Sequence, residues 1–326
     1  MWLQRFGLYV VACNVFAAIL LSILPAMAQQ SWPQRPVRLM VTLGGGSGVD
    51  LTSRLLAERL TKRWGQPVVV ENRPGGDGVV AITFFINAKD DHVLLSTPVS
   101  SMTAHPYNLP SLPYKWTDFE PIARISSAVI VIAVPSTLAV NSVSDLVALA
   151  KAQPGKLNWA GTTGAIDFLF AGFLKKNNLD MARVPYRNPQ DAATDLSTGR
   201  IQVSEASLAT LTPFVQAGTV KLLAVTHSTR IPMRPELPTV AEAGFPELTL
   251  NGLTGLFGPA GMPLALRERI AADVREAAED PIIDERLAAT GQLKMIGTPD
   301  DFMKSINEQR ELVAAAAKSL GVTAAQ

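Results

Sequence analysis

One cysteine, three histidines and four tyrosines are all that this chain of 326 residues offers of the side chains most used in nucleophilic, metal and redox chemistry. Cys13 lies inside an apolar N-terminal stretch. The remainder therefore holds no disulfide, no thiol nucleophile and no cysteine metal site. His92, His105 and His227 are scattered, and no HxH, HExxH or Asp-rich spacing accompanies them, which speaks against a metal centre. Charge is sparse as well. Only 17% of residues are charged, 29 basic against 28 acidic. No basic stripe of the kind that follows a nucleic-acid backbone is present. Beyond the N-terminal stretch, no apolar run is long enough to span a bilayer.

What is present begins with an export signal. Arg5 is the lone charge of a short n-region, Gly7 to Leu24 form an apolar core, and Ala26-Met27-Ala28 is a small-residue cleavage site. Cleavage near Ala28 is expected, placing the mature protein in the periplasm; without Arg5 its net charge falls to zero. An uncleaved anchor and a lipidated Cys13 are the alternatives to this reading. With 48% hydrophobic residues the mature chain can bury a large core, and its length suggests two lobes.

Strand-like and helix-like segments alternate, which predicts α/β lobes on mostly parallel sheets flanked by helices. Strands are expected at Val37–Leu43, Pro67–Asn72 and His92–Thr97. A helix from Asp50 to Trp64 carries Leu51, Leu55, Leu56, Leu60 and Trp64 on one face. The β-branched run Ile122–Pro135 reads as a crossing between lobes. Ser142 and Asp145 open a helix that ends at Gly155. Further helices are expected at Ile166–Asn177, Asn188–Thr198, Leu208–Ala217, Leu264–Glu279 and Pro299–Ser319. The proline-rich stretch Arg230–Gly244 is expected to run between the lobes.

The stretch VTLGGGSGVD, Val41 to Asp50, raises the chemical question. A P-loop needs a lysine to reach terminal phosphates, and none occurs between Val41 and Thr61. A dinucleotide fingerprint needs glycine at the third position of GxGxxG, where Val49 and Leu51 stand in the two possible frames. A nucleophile elbow, GxSxG, fails at Val49. Two readings remain. One is a tight turn with Asp50 as an ordinary N-cap. The other is an anion site, in which backbone amides at a helix start take a single carboxylate without a counter-charge. A second loop of the same kind, Gly161-Thr162-Thr163-Gly164-Ala165, lies in the other half of the chain. Two such loops facing each other would hold a small anion at both ends. Catalytic candidates are few: Ser47, and His105 in what reads as a loop.

In order along the chain, Trp32–Asp50, GQPVVVENRPGGDG (65–78), LPYKWTDFEPIARI (112–125), QPGKLNWAG (153–161), VPYR (184–187), QAGTVKLLAVT (216–226), LPTVAEAGFP (237–246) and GLFGPAGMP (255–263) follow a known pattern. The chain resembles the periplasmic solute-binding proteins of tripartite tricarboxylate transporters, the TctC or Bug family, over essentially the whole mature sequence. The resemblance implies a type II-like Venus-flytrap binding protein, not an enzyme, with no cofactor. Lobe 1 would comprise residues 29–125 and 230–326, and lobe 2 residues 126–229, hinged near 125–129 and 226–230. It implies a monomer that takes a small organic acid, binds no nucleic acid and docks on a membrane permease; a ligand sensor for a two-component system is the alternative. The site carried over comprises Leu43, Gly45, Gly46, Ser47, Gly48, Asp50, Thr97, Ser100, His105, Gly161, Thr162, Thr163, Gly164, Ala206 and Ser207. The chain departs from the family pattern there. Thr42 and Leu43 stand where a proline and an aromatic are usual, Ile166 and Leu169 where polar residues are, and Glu205-Ala206-Ser207 where the family has F-D-N. These changes favour a ligand more apolar than a plain dicarboxylate, such as an aromatic or branched monocarboxylate.

Overall fold

The structure, a computed structural model, describes residues 32–161, 164–186 and 188–325. The expected export signal and its cleavage site lie outside the described residues, as do Thr162, Thr163 and Arg187.

Two mixed sheets carry the molecule. The first contains β1 (Val37–Val41), β2 (Val68–Asn72), β3 (Val93–Pro98), β4 (Phe119–Ala128), β10 (Gly252–Pro259) and β11 (Gln292–Lys294), in the order β11-β4-β10-β3-β1-β2. The second contains β5 (Ile130–Pro135), β6 (Leu157–Gly161), β7 (Met181–Arg183), β8 (Val203–Ser207) and β9 (Val220–Val225), in the order β7-β6-β8-β5-β9. Parallel pairing is confined to β2-β1-β3 and β7-β6-β8. These are the strands joined by helices, as crossover geometry requires. The remaining pairs are antiparallel, because β4 and β10 enter and leave the first sheet where the chain passes to and from the second. The sheets, expected to be mostly parallel, are thus parallel only in the βα units.

The helices form where apolar spacing and caps agree. Helix α1 (Gly48–Trp64) buries Leu56 and Leu60 against the first sheet and Leu55 against Ile283 and Leu287, and stops at Gly65, whose φ of 64° suits glycine. The other helices are α2 (Val79–Ala88), α3 (Val99–Asn108), α4 (Val143–Ala152), α5 (Ala165–Lys176), α6 (Pro189–Ser197), α7 (Leu208–Gln216), α8 (Leu264–Ala277), α9 (Pro281–Ala289) and α10 (Pro299–Leu320).

Helix α10 ties the two halves together. Thr298 and Asp301 form its capping box, and Gly321 ends it. Phe302 and Ile306 enter the core of the first sheet beside Phe257, each burial contributing about 1.5–3 kcal/mol. The Phe302 ring fills the space that a Cβ on Gly255 would need, so Gly255→Ala is excluded without repacking. Further along the helix, Val313 and Ala317 pack on Ala165, Ile166, Phe168 and Leu169 of α5.

Three expectations are corrected. His105 lies within α3, not in a loop, even though Pro106 follows it. The proline-rich stretch does not run between lobes. Ile231 and Leu237 are buried with Val131 and Leu208, and Val240 with Ile132 and Trp159, all in the core of the second sheet. Helix α9 and strand β11 add elements between the two terminal helices that the sequence suggested.

Candidate functional site

Ligands in open α/β sheets sit at the carboxyl ends of parallel strands, at the point where strand order reverses. In the first sheet that point lies between β1 and β3. There the hydroxyls of Thr42 and Thr97 meet at 2.9 Å, both side chains buried. In the second sheet it lies between β6 and β8, where Gly161 stands opposite Glu205. The topology thus singles out two small regions.

The first glycine loop leaves β1 and enters α1. Ser47, not Asp50, is the N-cap: its Oγ accepts the Asp50 amide at 3.3 Å. Asp50 is the third residue of the helix and is buried, with its carboxylate turned back into the loop. That carboxylate accepts the Gly46 amide at 2.8 Å, Arg54 Nε at 3.1 Å and Asn72 Nδ2 at 2.9 Å. Asn72 also donates to the Leu43 carbonyl at 3.0 Å. Burial alone pushes the Asp50 carboxyl up. The hydrogen bonds from Arg54, Gly46 and Asn72 outweigh it and hold the group below its ordinary value. One expected anion donor, the Gly46 amide, is therefore occupied by the protein's own carboxylate. The amides of Gly48 and Val49, the first two of the helix, have no intrahelical acceptor by construction and remain available. Gly44, Gly45 and Gly46 are exposed, Leu43 and Ser47 half-buried. Gly48 abuts Gln292 of β11 so closely that a Cβ would collide with it.

The second loop leaves β6 and enters α5. Gly164 is the N-cap residue, with φ of 99° and no side chain to cap the helix. A Cβ there would lie 2.9 Å from the Ser100 carbonyl, so the start of α5 in one lobe rests directly on the start of α3 in the other. Gly164 is thus required twice, by backbone conformation and by the close approach. Asp167, the third residue of α5, lies over Gly161 and pairs with Arg183. Its Oδ1 has no partner. Burial pushes the Asp167 carboxyl up to about 6, with Arg183 opposing. Across the strand pair, Glu205 is 0% exposed and neither carboxylate oxygen has a hydrogen bond. Burial, with Asp167 nearby, raises its pKa well above the usual range. Ala206 faces the opposite core, with Val131 and Ala160. Ser207 caps α7 through its Oγ and the Thr210 amide.

Between the lobes opens a cavity of about 490 Å³. Trp159, Phe168, Ala171, Leu109 and Leu320 supply apolar wall, and Asp77, His105, Asn108, Asp167 and Arg183 supply polar wall. His105 is buried, bonded to the Tyr114 hydroxyl through Nδ1 and to Asp77 through Nε2 at 3.3 Å. Asp77 in turn accepts from the Ser101 hydroxyl at 2.9 Å. Asp77 itself holds a left-handed φ of 53°, unusual for a side-chain-bearing residue. Sequence reasoning missed Asp77, Asp167, Arg183 and Glu205. The signal for Asp167 was present, an acid three residues into a helix after a glycine loop, as at Asp50. Ile166 and Leu169, expected to line the cleft, are buried instead beneath α10. Asp90, Asp91 and His92 bring ligand atoms within 4.8 Å of one another, but Arg35 already pairs with Asp90 at 2.6 Å.

Two α/β lobes with facing helix starts and a cavity between them define a two-lobed solute-binding protein. The chain belongs to the tripartite tricarboxylate transporter family receptors, TctC, whose family model matches residues 52–322. A UPF0065 protein of Bordetella bronchiseptica is 30% identical over 91% of this chain and 89% of its own length. Among solved structures, one described as a periplasmic transporter superposes with a TM-score of 0.78 at 28% identity, covering 90% of this chain and 99% of that one. R. palustris Rpa4515 with adipate superposes with a TM-score of 0.77 at 26% identity, with the same coverage.

Proposed function

We propose that this protein is exported to the periplasm, captures a small organic acid between its lobes and delivers it to a membrane permease of the tripartite tricarboxylate type. The observation that carries this reading is the meeting of two helix starts, α3 against α5 at Ser100 and Gly164, beside the interlobe cavity. Rpa4515 with adipate, a dicarboxylic acid, supports the class of ligand. The ligand carboxylate binds the free amides at the start of α1 together with the Ser47 hydroxyl. Charge-assisted bonds of this kind contribute about 1.5–3 kcal/mol each.

The apolar wall of Trp159, Phe168 and Leu109 favours an acid with an apolar body. The lobes hinge where β4 passes into β5, around Ala128–Ile130, and on the return between β9 and β10. Closure is driven by contacts that the ligand makes only in the closed form. Hydrolysis by Ser47 or His105 is disfavoured by their surroundings: the Ser47 hydroxyl caps a helix, and both His105 ring nitrogens are engaged.

Isothermal titration calorimetry of the mature protein tests the reading. The panel comprises succinate, adipate, citrate, and aromatic and branched monocarboxylates. Saturable binding of at least one acid with an apolar body is expected. Binding of citrate or succinate alone would refute the apolar preference, and no binding by any carboxylate would refute the function.

A further inference from the structure

The interlobe cavity takes one carboxylate from each side. Asp77 comes from the turn before α2, beside the first sheet, and Asp167 from α5, beside the second. Asp77 is held by His105 Nε2 at 3.3 Å and by the Ser101 hydroxyl at 2.9 Å. Asp167 accepts from Arg183 through Oδ2, while its Oδ1 has no hydrogen bond. The charged and titratable groups that face Asp167 are therefore Asp77 and His105 across the cavity, and Arg183 of β7 and the buried Glu205 of β8 on its own side. Separating the lobes changes only half of this set. Arg183 and Glu205 stand on the sheet that α5 covers and travel with Asp167, whereas Asp77 and His105 stay behind. Separation thus lets water reach Asp167 and removes the opposing carboxylate, but keeps the guanidinium partner. Both changes favour the ionised form. With the lobes together, burial pushes the Asp167 carboxyl up to about 6, Asp77 adding and Arg183 opposing. A proton is held more firmly with the lobes together than apart, so acid favours the lobes together.

We propose that Asp167 is a proton-operated latch: the lobes come together with uptake of one proton by its carboxylate, so that the receptor closes and holds its ligand more firmly in acid than at neutral pH. The proton comes from solvent and goes to Oδ1, since Oδ2 already accepts from Arg183. As a neutral acid, Asp167 no longer repels Asp77 across the cavity. The hinge motion is taken over from the proposed function, and no particular ligand is assumed. A proton on His105 would act in the same direction by offsetting Asp77, so the two groups have to be separated by substitution.

Two measurements on the mature protein test the latch, each at pH about 5 and about 7.5, on either side of the titration. Small-angle X-ray scattering follows the unliganded protein, and calorimetry follows adipate binding, in wild type, Asp167→Asn and Asp77→Asn. Wild type is expected to be more compact in acid. Its adipate affinity is expected to rise about threefold or more beyond any rise in Asp167→Asn, a comparison that cancels the titration of adipate itself. Asp167→Asn, uncharged at both pH values, is expected to be compact at both, and Asp77→Asn to respond less than wild type. A response that persists undiminished in Asp167→Asn belongs to His105 or another group and overturns the latch. So does a wild type in which neither scattering nor affinity changes with pH relative to Asp167→Asn. Should Asp167→Asn not fold, as judged by circular dichroism, Asp77→Asn carries the measurement, and an undiminished response there overturns the latch. Each of these failures leaves the carboxylate reading standing, which falls only if no acid of the calorimetric panel binds.

Discussion

Asp50 and Asp167 occupy the same place in their lobes. Each is the third residue of the helix that follows a glycine loop at the end of a parallel strand. Their surroundings are opposite. Asp50 accepts from a loop amide, from Arg54 and from Asn72, and its pKa is lowered. Asp167 has Arg183 on one oxygen and nothing on the other; burial, with Asp77 adding and Arg183 opposing, raises its pKa to about 6. One carboxylate is saturated by its loop; the other keeps an oxygen without a hydrogen-bond partner.

The contrast breaks most visibly at Asp50. Asp50→Ala removes the acceptor of three donors, leaving the Gly46 amide without one and Asn72 Nδ2 with the Leu43 carbonyl alone. Stability is expected to fall by about 2–3 kcal/mol, since the Gly46 amide loses its acceptor while half-exposed Arg54 returns to water. Urea unfolding followed by circular dichroism measures this. A loss under about 1 kcal/mol would mean that the loop folds without Asp50.

The second comparison is one of sign with pH. A carboxyl whose folded pKa lies above its unfolded value binds more protons folded than unfolded. Stability then falls as pH rises from the unfolded value to the folded one. For Asp167, between the ordinary value of 3.8 and about 6, this amounts to about 3 kcal/mol. Glu205 acts in the same direction over a higher range. Asp50 acts oppositely: its contribution is present above the unfolded pKa and lost as pH falls through the lower folded one. Raising pH from about 4 to about 6.5 crosses most of that range and should therefore cost the wild type about 2 kcal/mol relative to Asp167→Asn. Paired denaturation curves at the two pH values check this, and parallel behaviour of the two proteins would refute it.

Much of the first lobe was legible because its determinants are local. Leu55, Leu56 and Leu60 at helical spacing placed α1, and the failed nucleotide spellings left either a plain turn or an amide site. The Ser47 cap was also readable, since Ser47-Gly48-Val49-Asp50 has capping-box spacing, but an aspartate ahead of the leucines is itself a good cap and hid the serine. The acids of the second lobe were hidden for a different reason. VSEAS reads as an alternating strand with one wet face, whereas β8 lies between β6 and β5 and is covered on both faces, so Glu205 is buried by tertiary packing that no local pattern records. His105 was misplaced because Pro106 suggested a loop; α3 tolerates the proline near its end, closing with the Leu109 amide on the His105 carbonyl.

The smallest test sharpens the comparison of the two helix starts themselves. Helix α1 has a side-chain cap in Ser47, and α5 has none at Gly164. Ser47→Ala makes the first start resemble the second by removing the acceptor of the Asp50 amide. An exposed or half-buried cap of this type contributes about 1 kcal/mol, so a small drop in melting temperature is expected. If the hydroxyl served the helix alone, ligand affinity would change little, because the cap is intact in free and bound forms alike. If it also donates to the ligand carboxylate, as the proposed site requires, its outward donation is lost together with the cap. Affinity should then fall roughly tenfold, the equivalent of about 1.4 kcal/mol. Calorimetry with whichever acid binds wild type most tightly, beside a thermal melt, separates the two roles: a melt that shifts while affinity stays constant would remove Ser47 from the site and leave the amides of Gly48 and Val49 to hold the carboxylate.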